Sequence, residues 1–305
     1  MLADSRLVYI FLYVSDLDVS RSFYRDKLGL RVIEEDPGCV KFDCGHVILA
    51  LNRAADFDIS LPRTKDQSTE MVFLVGDMAG THAALSGRGV ELSPPDDDGP
   101  GLISNFYDPD GHWFSLYEPS EVAMRWPSGR RIRALLGAQN GNGNGHGAAH
   151  AGGAVGLDGT QLAYAFLFVR NAAEAEVFYH DDLGLTDLEG GPCSTAEDDD
   201  GEGVIKYDTG GVLMSTHQIS PARQLVEGHL KGVASVFCVK NVEHVAKLLR
   251  RRRPDIAPVV RRSEIGTTAS FADPSGHQLY LYEPSEAALG TPSGRKIQEI
   301  MAARF

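Results

Sequence analysis

The 305-residue sequence predicts an α+β protein made of two copies of one domain, each with mixed sheets, and three observations carry that prediction. Long motifs recur in order along the chain. Each copy repeats the order strand, helix, strand, strand, strand. A stretch rich in Gly, Asn, Ala and His separates the copies. The motif Phe23-Tyr24-Arg25-Asp26-Lys27-Leu28-Gly29-Leu30 returns as Phe178-Tyr179-His180-Asp181-Asp182-Leu183-Gly184-Leu185. Asp108-Pro109-Asp110-Gly111-His112 returns as Asp273-Pro274-Ser275-Gly276-His277, and Pro127-Ser128-Gly129-Arg130 as Pro292-Ser293-Gly294-Arg295. The second copy carries a ten-residue insertion near Glu189 to Gly203, whose Asp198-Asp199-Asp200 and glycines read as a solvated hairpin loop. The boundaries that follow are residues 1–138 for the first domain, 139–159 for a flexible linker and 160–305 for the second domain.

Val8 to Val14 is apolar on both faces, as a doubly buried strand should be. Ser15 and Asp16 offer side-chain oxygens for a helix N-terminus, and Leu17, Ser20, Phe23, Tyr24 and Leu28 follow with helical spacing until Gly29. Strand candidates come next at Arg31 to Glu34, Cys39 to Phe42 and Val47 to Leu51. The pattern restarts at Met71 to Val75, with a helix from Met78 to Ser86 and strands near Val90, Ile103 and Trp113. The second copy repeats the series at Leu162–Val169, Ala172–Leu183, Val212–Thr216, Val233–Val239, Val242–Arg250, Ala269–Ala272 and Gln278–Tyr282. Each domain is thus two βαβββ modules.

A formal net charge of -13 argues against a nucleic-acid groove, which needs clustered Lys and Arg to replace phosphate counterions. The one basic run, Arg250 to Arg253, ends a helix candidate, where it favours the helix dipole and forms a solvated face. No long apolar run or leader-like order is present, so no membrane partner and a cytoplasmic location are expected. Cys39, Cys44, Cys193 and Cys238 lack the spacing of a structural zinc site and read as reduced. His146 and His150 fall in the linker, where a glycine-rich chain holds no ligand geometry.

The strand followed by a V-x-D/N helix start, the F-Y-x-D-x-L-G-L helix end and the closing D-P-D/S-G-H resembles the glyoxalase, bleomycin-resistance and extradiol-dioxygenase superfamily, also called vicinal oxygen chelate. The likeness covers almost all of both copies outside the linker. It implies tandem glyoxalase-like domains, each with two βαβββ modules forming a half-open mixed-sheet barrel around a cavity. The enzymes of the superfamily hold a divalent metal with His, Gln or Glu side chains, so the resemblance implies candidate ligand positions at Tyr9, Leu49, Glu70 and Ser115. In the second copy these are Tyr164, Met214, Ala234 and Tyr280. Only Glu70 is a competent ligand, and a divalent site generally takes three. No metal ligand set and no cofactor are therefore expected, although a divalent metal bound around Glu70 stays open.

Period-two alternation puts Tyr9, Phe11 and Tyr13 on one face, matched by Tyr164, Phe166 and Phe168. The last strands add Trp113, Ser115 and Tyr117 in one copy and Gln278, Tyr280 and Tyr282 in the other. A sheet lined this way suits a flat apolar or aromatic ligand; the same rings could instead fill the barrel as core. Glu70 could be a general base in a dry cavity, where burial would raise its pKa, or a solvated residue at a strand entrance. His112 and His277 read as turn residues, and His46, His217 and His229 as exposed loop histidines. Among them His217 draws notice if a carboxylate faces it. Arg130 and Arg295 are candidate carboxylate clamps.

Two function classes remain open. One is a binding protein that sequesters a small aromatic molecule. The other is a divergent lyase, dioxygenase or isomerase using Glu70 and the cavity tyrosines. A third view is a scaffold in which the copies pack as a dimer would, leaving the chain a monomer with an internal pseudo-dimer, or a homodimer.

Overall fold

The computed structural model describes residues 1–2, 4–141, 156–191, 203–220 and 224–303. Cys193, His146, His150, the aspartate run 198–200 and most of the linker lie outside the described residues. The first copy runs β1 (Arg6–Val14), α1 (Leu17–Ser22), β2 (Val32–Asp36), β3 (Cys39–Asp43), β4 (Ile48–Arg53), β5 (Thr69–Leu74), α2 (Met78–Gly87), β6 (Asp96–Asp97), β7 (Gly101–Tyr107), β8 (Trp113–Pro119) and α3 (Pro127–Gly141). The second begins with β9 (Gln161–Val169), α4 (Ala172–Glu176), β10 (Thr186–Gly191), β11 (Val204–Asp208), β12 (Leu213–Gln218), α5 (Glu227–Gly232) and β13 (Val233–Cys238). It ends with α6 (Val242–Arg252), β14 (Val259–Ser263), β15 (Gly266–Ala272), β16 (Gln278–Pro284), α7 (Glu286–Leu289) and α8 (Pro292–Ala302). The expected strand near Val90 is absent. That stretch makes only an isolated bridge between Leu92 and Phe106, and its backbone turns at Gly89 with φ +75°.

Helix starts follow the sequence signals. The Asp16 carboxylate accepts from the Asp18 and Val19 amides at 3.0 and 3.1 Å, and Asn171 accepts from the Glu174 amide at 3.0 Å. Both α1 and α4 then widen into a π-helical turn, at Phe23–Lys27 and Val177–Asp182. Gly29 and Gly184 take φ +77° and +78° just beyond, a conformation that side chains disfavour.

The strands form two eight-stranded mixed sheets, ordered β14-β15-β16-β13-β1-β4-β3-β2 and β10-β11-β12-β9-β5-β8-β7-β6. We call these sheet A and sheet B. The pairing crosses the repeat: β1 lies antiparallel to β13, and β5 antiparallel to β9. Each sheet therefore takes one βαβββ module from each copy. One buried apolar cluster joins the helices to the facing side of both sheets, from Ile10, Leu12, Phe237 and Leu281 in sheet A to Phe73, Phe114, Leu167 and Met214 in sheet B. The side of each sheet turned away from that cluster is its cavity face.

The recurring motifs tie the copies together internally. Tyr24 donates its hydroxyl to buried Asp108 at 2.7 Å, and Tyr179 to buried Asp273 at 2.9 Å. The same aspartates accept the His112 and His277 amides at 2.8 Å. Those two imidazoles pack inside and place Nε2 2.9 Å from the carbonyls of Tyr13 and Phe168. The F-Y and D-P-x-G-H motifs are thus two halves of one buried polar lock. Among the described residues, Arg130 and Arg295 hold no carboxylate. Their guanidinium groups donate to the carbonyls of Arg125 and Gly290, closing the turn before α3 and α8.

Candidate functional site

Strand register decides which side chains share a cavity face. In sheet A, Tyr9, Phe11 and Tyr13 stand opposite Ile48, Ala50 and Asn52, and Phe11 stands opposite Ala234. In sheet B, Tyr164, Phe166 and Phe168 stand opposite Leu213, Ser215 and His217, and Phe166 stands opposite Glu70. Leu49 and Met214 point the other way, into the helix-facing core, which corrects the expected fourth-strand positions by one residue. Both faces of those strands are buried, so alternation carries no register there.

Sheet A's cavity face is filled. At one end Tyr9, Tyr282, Ile48 and Val236 pack under Ile297 and Ile300 of α8. At the other, Tyr13 and Ala234 pack with Ala54, while Phe11, Tyr280, Ile59 and Leu61 close over them. The Phe57 ring meets Tyr13 edge-on at 5.0 Å, and the Tyr13 and Tyr280 hydroxyls lie 3.3 Å apart. Burial pushes the Tyr9 phenol up to about 12 despite a bond with Ser293. Of the expected ligand-binding residues, Tyr9, Tyr13 and Tyr282 are thus buried in apolar clusters, and Phe11 and Tyr280 pack partly buried against them.

Among the described residues, the cover of sheet B lies at one end. Ile132 of α3 packs with Val72, Leu74, Tyr164 and Leu213, and Tyr117, Phe166 and Leu136 border that cluster. Among the described residues, the far end has no counterpart of the apolar plug over Tyr13. Polar groups and flat rings stand there instead. Glu70 is 7% exposed, and the Ser115 hydroxyl bonds its carboxyl group. Ser115 Oγ also lies 2.6 Å from Asn105 Oδ1, which accepts the Trp113 indole N–H at 3.1 Å. This chain of contacts spans β5, β8 and β7. It fixes the plane of Trp113.

Around Trp113 the rings line up across four strands. Tyr107 and Trp113 are 6.5 Å apart at 22°, Trp113 and Phe168 5.4 Å apart at 6°, and Phe168 and His217 5.3 Å apart at 29°. The Lys65 ammonium lies 4.4 Å from the Tyr107 ring centre at one end of the row. At the matching positions sheet A has Gln278 for Trp113, Ala234 for Glu70, Tyr280 for Ser115 and Asn52 for His217. Asn105, Tyr107 and Lys65 do not stand out in the sequence, because none repeats in the second copy. That asymmetry was the available signal.

His46 and His229 were expected to be exposed, yet both are buried. His46 Nε2 lies 3.2 Å from the Leu135 carbonyl, and His229 Nε2 2.9 Å from the Thr64 carbonyl. Among the described residues, no three His, Cys, Asp or Glu side chains converge as a metal-binding group. Of the candidate ligand positions that fall in sheet B, Glu70 and Ser115 bond each other, Tyr164 packs under α3, and Met214 points into the helix-facing core.

A model of the family described as Glyoxalase/Bleomycin resistance protein/Dioxygenase superfamily matches residues 6–116. Residues 6–116 belong to the Glyoxalase/Bleomycin resistance protein/Dioxygenase superfamily. The second copy repeats its motifs and its element order. Glyoxalase I from Zea mays is similar in structure over the whole tandem, at a TM-score of 0.62 and 14% identity, covering 97% of this chain and 95% of that one. A candidate dioxygenase from Bacillus subtilis is similar at a TM-score of 0.59 and 13% identity, covering 98% and 91%. At that identity the likeness extends to the fold. No curated protein sequence matches the chain. No described helix is long and apolar enough to cross a membrane.

Proposed function

We propose that this superfamily member binds a flat, largely apolar aromatic molecule on the cavity face of sheet B. The observation that carries this reading is the row Tyr107, Trp113, Phe168 and His217 flanking the Glu70–Ser115–Asn105 network. Stacking and apolar area supply the affinity for such a ligand, and the polar trio selects its orientation. Phe166 faces Glu70 and completes the apolar wall. Sheet A's tyrosines hold the fold together and take no ligand. In this reading the site works without a resident metal, and Glu70, Ser115 and Asn105 orient the ligand instead.

Native mass spectrometry with metal analysis of the protein as isolated tests the reading. An organic molecule retained without stoichiometric metal supports it. One divalent ion per chain, whose removal abolishes a turnover, would overturn it.

A second reading, enzymatic, is favoured by the buried position of Glu70 beside Ser115 on the cavity face. There Glu70 would move a proton on the bound ligand. The substitution Glu70→Gln separates the two: lost turnover with retained binding supports catalysis, and unchanged behaviour removes Glu70 as a base.

A further inference from the structure

Beside the ring row lies a cleft of about 230 Å³ lined by Lys65, Gln67, Ser68 and His229, among others. It adjoins the row directly, since the Ser68 carbonyl accepts the Phe168 amide at 2.9 Å and Lys65 lies over Tyr107. Lys41, Lys206, Lys231 and Lys296 each pair with a carboxylate, whereas Lys27, Lys65, Lys240 and Lys247 pair with none among the described residues, and of these four Lys65 is the one that lies over a ring of the row.

Its backbone is pinned on both sides. His229 bonds the Thr64 carbonyl, and the Asp66 amide donates to the Gly111 carbonyl at 2.7 Å. Gly111 has φ +87°, and a Cβ there would stand 2.8 Å from the Thr64 carbonyl oxygen, so only glycine admits this approach. The Asp66 carboxylate beneath is engaged by the Ser68 amide and hydroxyl at 2.7 Å and faces His229 Nδ1 at 3.6 Å. A cation at one end of a row of rings gives the face a polarity, and an acidic group on the ligand is favoured at the Lys65 end.

We infer that Lys65 receives the acidic group of the bound molecule, so that the ligand class is a planar aromatic carboxylic acid. The inference rests on the binding function proposed above and narrows it. Calorimetric titration of the full chain with 2-naphthoate and with 2-naphthol at neutral pH tests it, because the two share a ring system and differ in charge. The expected result is naphthoate bound about two- to fivefold more tightly than naphthol, the size of one exposed ion pair. Lys65→Gln should erase that preference. Added salt should shrink the preference in the wild type. Equal binding of the two probes to the wild type, or a preference that survives Lys65→Gln, would overturn the inference while leaving aromatic binding standing. Binding of neither probe would overturn the binding function, and the inference with it.

Discussion

Tyr24 and Asp108 show how much of the conserved-looking repeat serves structure. The Tyr24 hydroxyl is the donor to Asp108 Oδ2 in a fully enclosed place, and burial, with the Asp108 charge beside it, pushes that phenol well above its ordinary range. Tyr24→Phe removes the donor and strands a buried acceptor, at a cost of about 1–3 kcal/mol. Tyr179→Phe should cost a similar amount, because Asp273 receives the equivalent bond. Urea unfolding of both variants checks this; no loss in either would show that the lock is not stabilising. At the site, Trp113→Ala should weaken aromatic binding about tenfold through lost stacking and area. Phe11→Ala, in the packed face, should leave it unchanged where the chain still folds. The aromatic alternation of β1, β8, β9 and β16 was legible in the sequence. Which set is core was not, because that depends on whether segments far away in sequence, such as Ile59 and Leu61 over Tyr13, close on the rings.

Two equivalent elements, α3 and α8, each reach across to the other copy's module. Ser128 of α3 donates its amide and hydroxyl to Glu189 at 3.0 and 2.7 Å, and Lys206 pairs with Glu189 at 2.6 Å. The Ser293 amide of α8 donates to Glu34 at 3.0 Å, and Lys41 pairs with Glu34 at 2.6 Å. Burial alone would push the Glu34 carboxyl up, but the bonds from Lys41 and Ser293 outweigh it and hold the group at about 2. An unfolded glutamate titrates near ~4.3. A carboxyl lowered on folding stabilises the fold above its unfolded value and loses that contribution as pH falls toward the folded one. Urea midpoints at pH 5 and pH 3 should therefore fall for the wild type, and fall less for Glu34→Gln. Equal falls would show that Glu34 does not set the acid response. The sequence marked both P-S-G-R turns as repeated. It carried no sign that each helix docks on the opposite copy, since the Glu34 and Glu189 partners lie far off in the chain.

At the scale of the whole molecule, the tandem repeat, the α+β class and most strands were readable from motif recurrence and period-two patterning, while β6, β10, β11 and β14 were not. The exchange of modules between copies was not, because β5 and β13 are equivalent sequences and either could pair with β1. The exchange makes a single copy incomplete. Residues 1–141 alone would leave the pairing edges of β1 and β5 open, and such edges seek partners. That fragment should form a concentration-dependent dimer in sedimentation, with β1 of one fragment on β5 of the other. A stable monomer would contradict the exchanged pairing. The exchange also lets the two faces diverge, since each combines different modules. One is packed by α8 and the 54–61 segment, and the other keeps Glu70, Ser115, Asn105 and the ring row.

The central claim, one working face per chain, is tested most directly by the stoichiometry of 2-naphthol binding measured by calorimetry on the full chain and on Trp113→Ala and Phe11→Ala. The expected result is one molecule per chain, lost or weakened in Trp113→Ala and kept in Phe11→Ala. Two molecules per chain, or binding that depends on Phe11 and ignores Trp113, would contradict it.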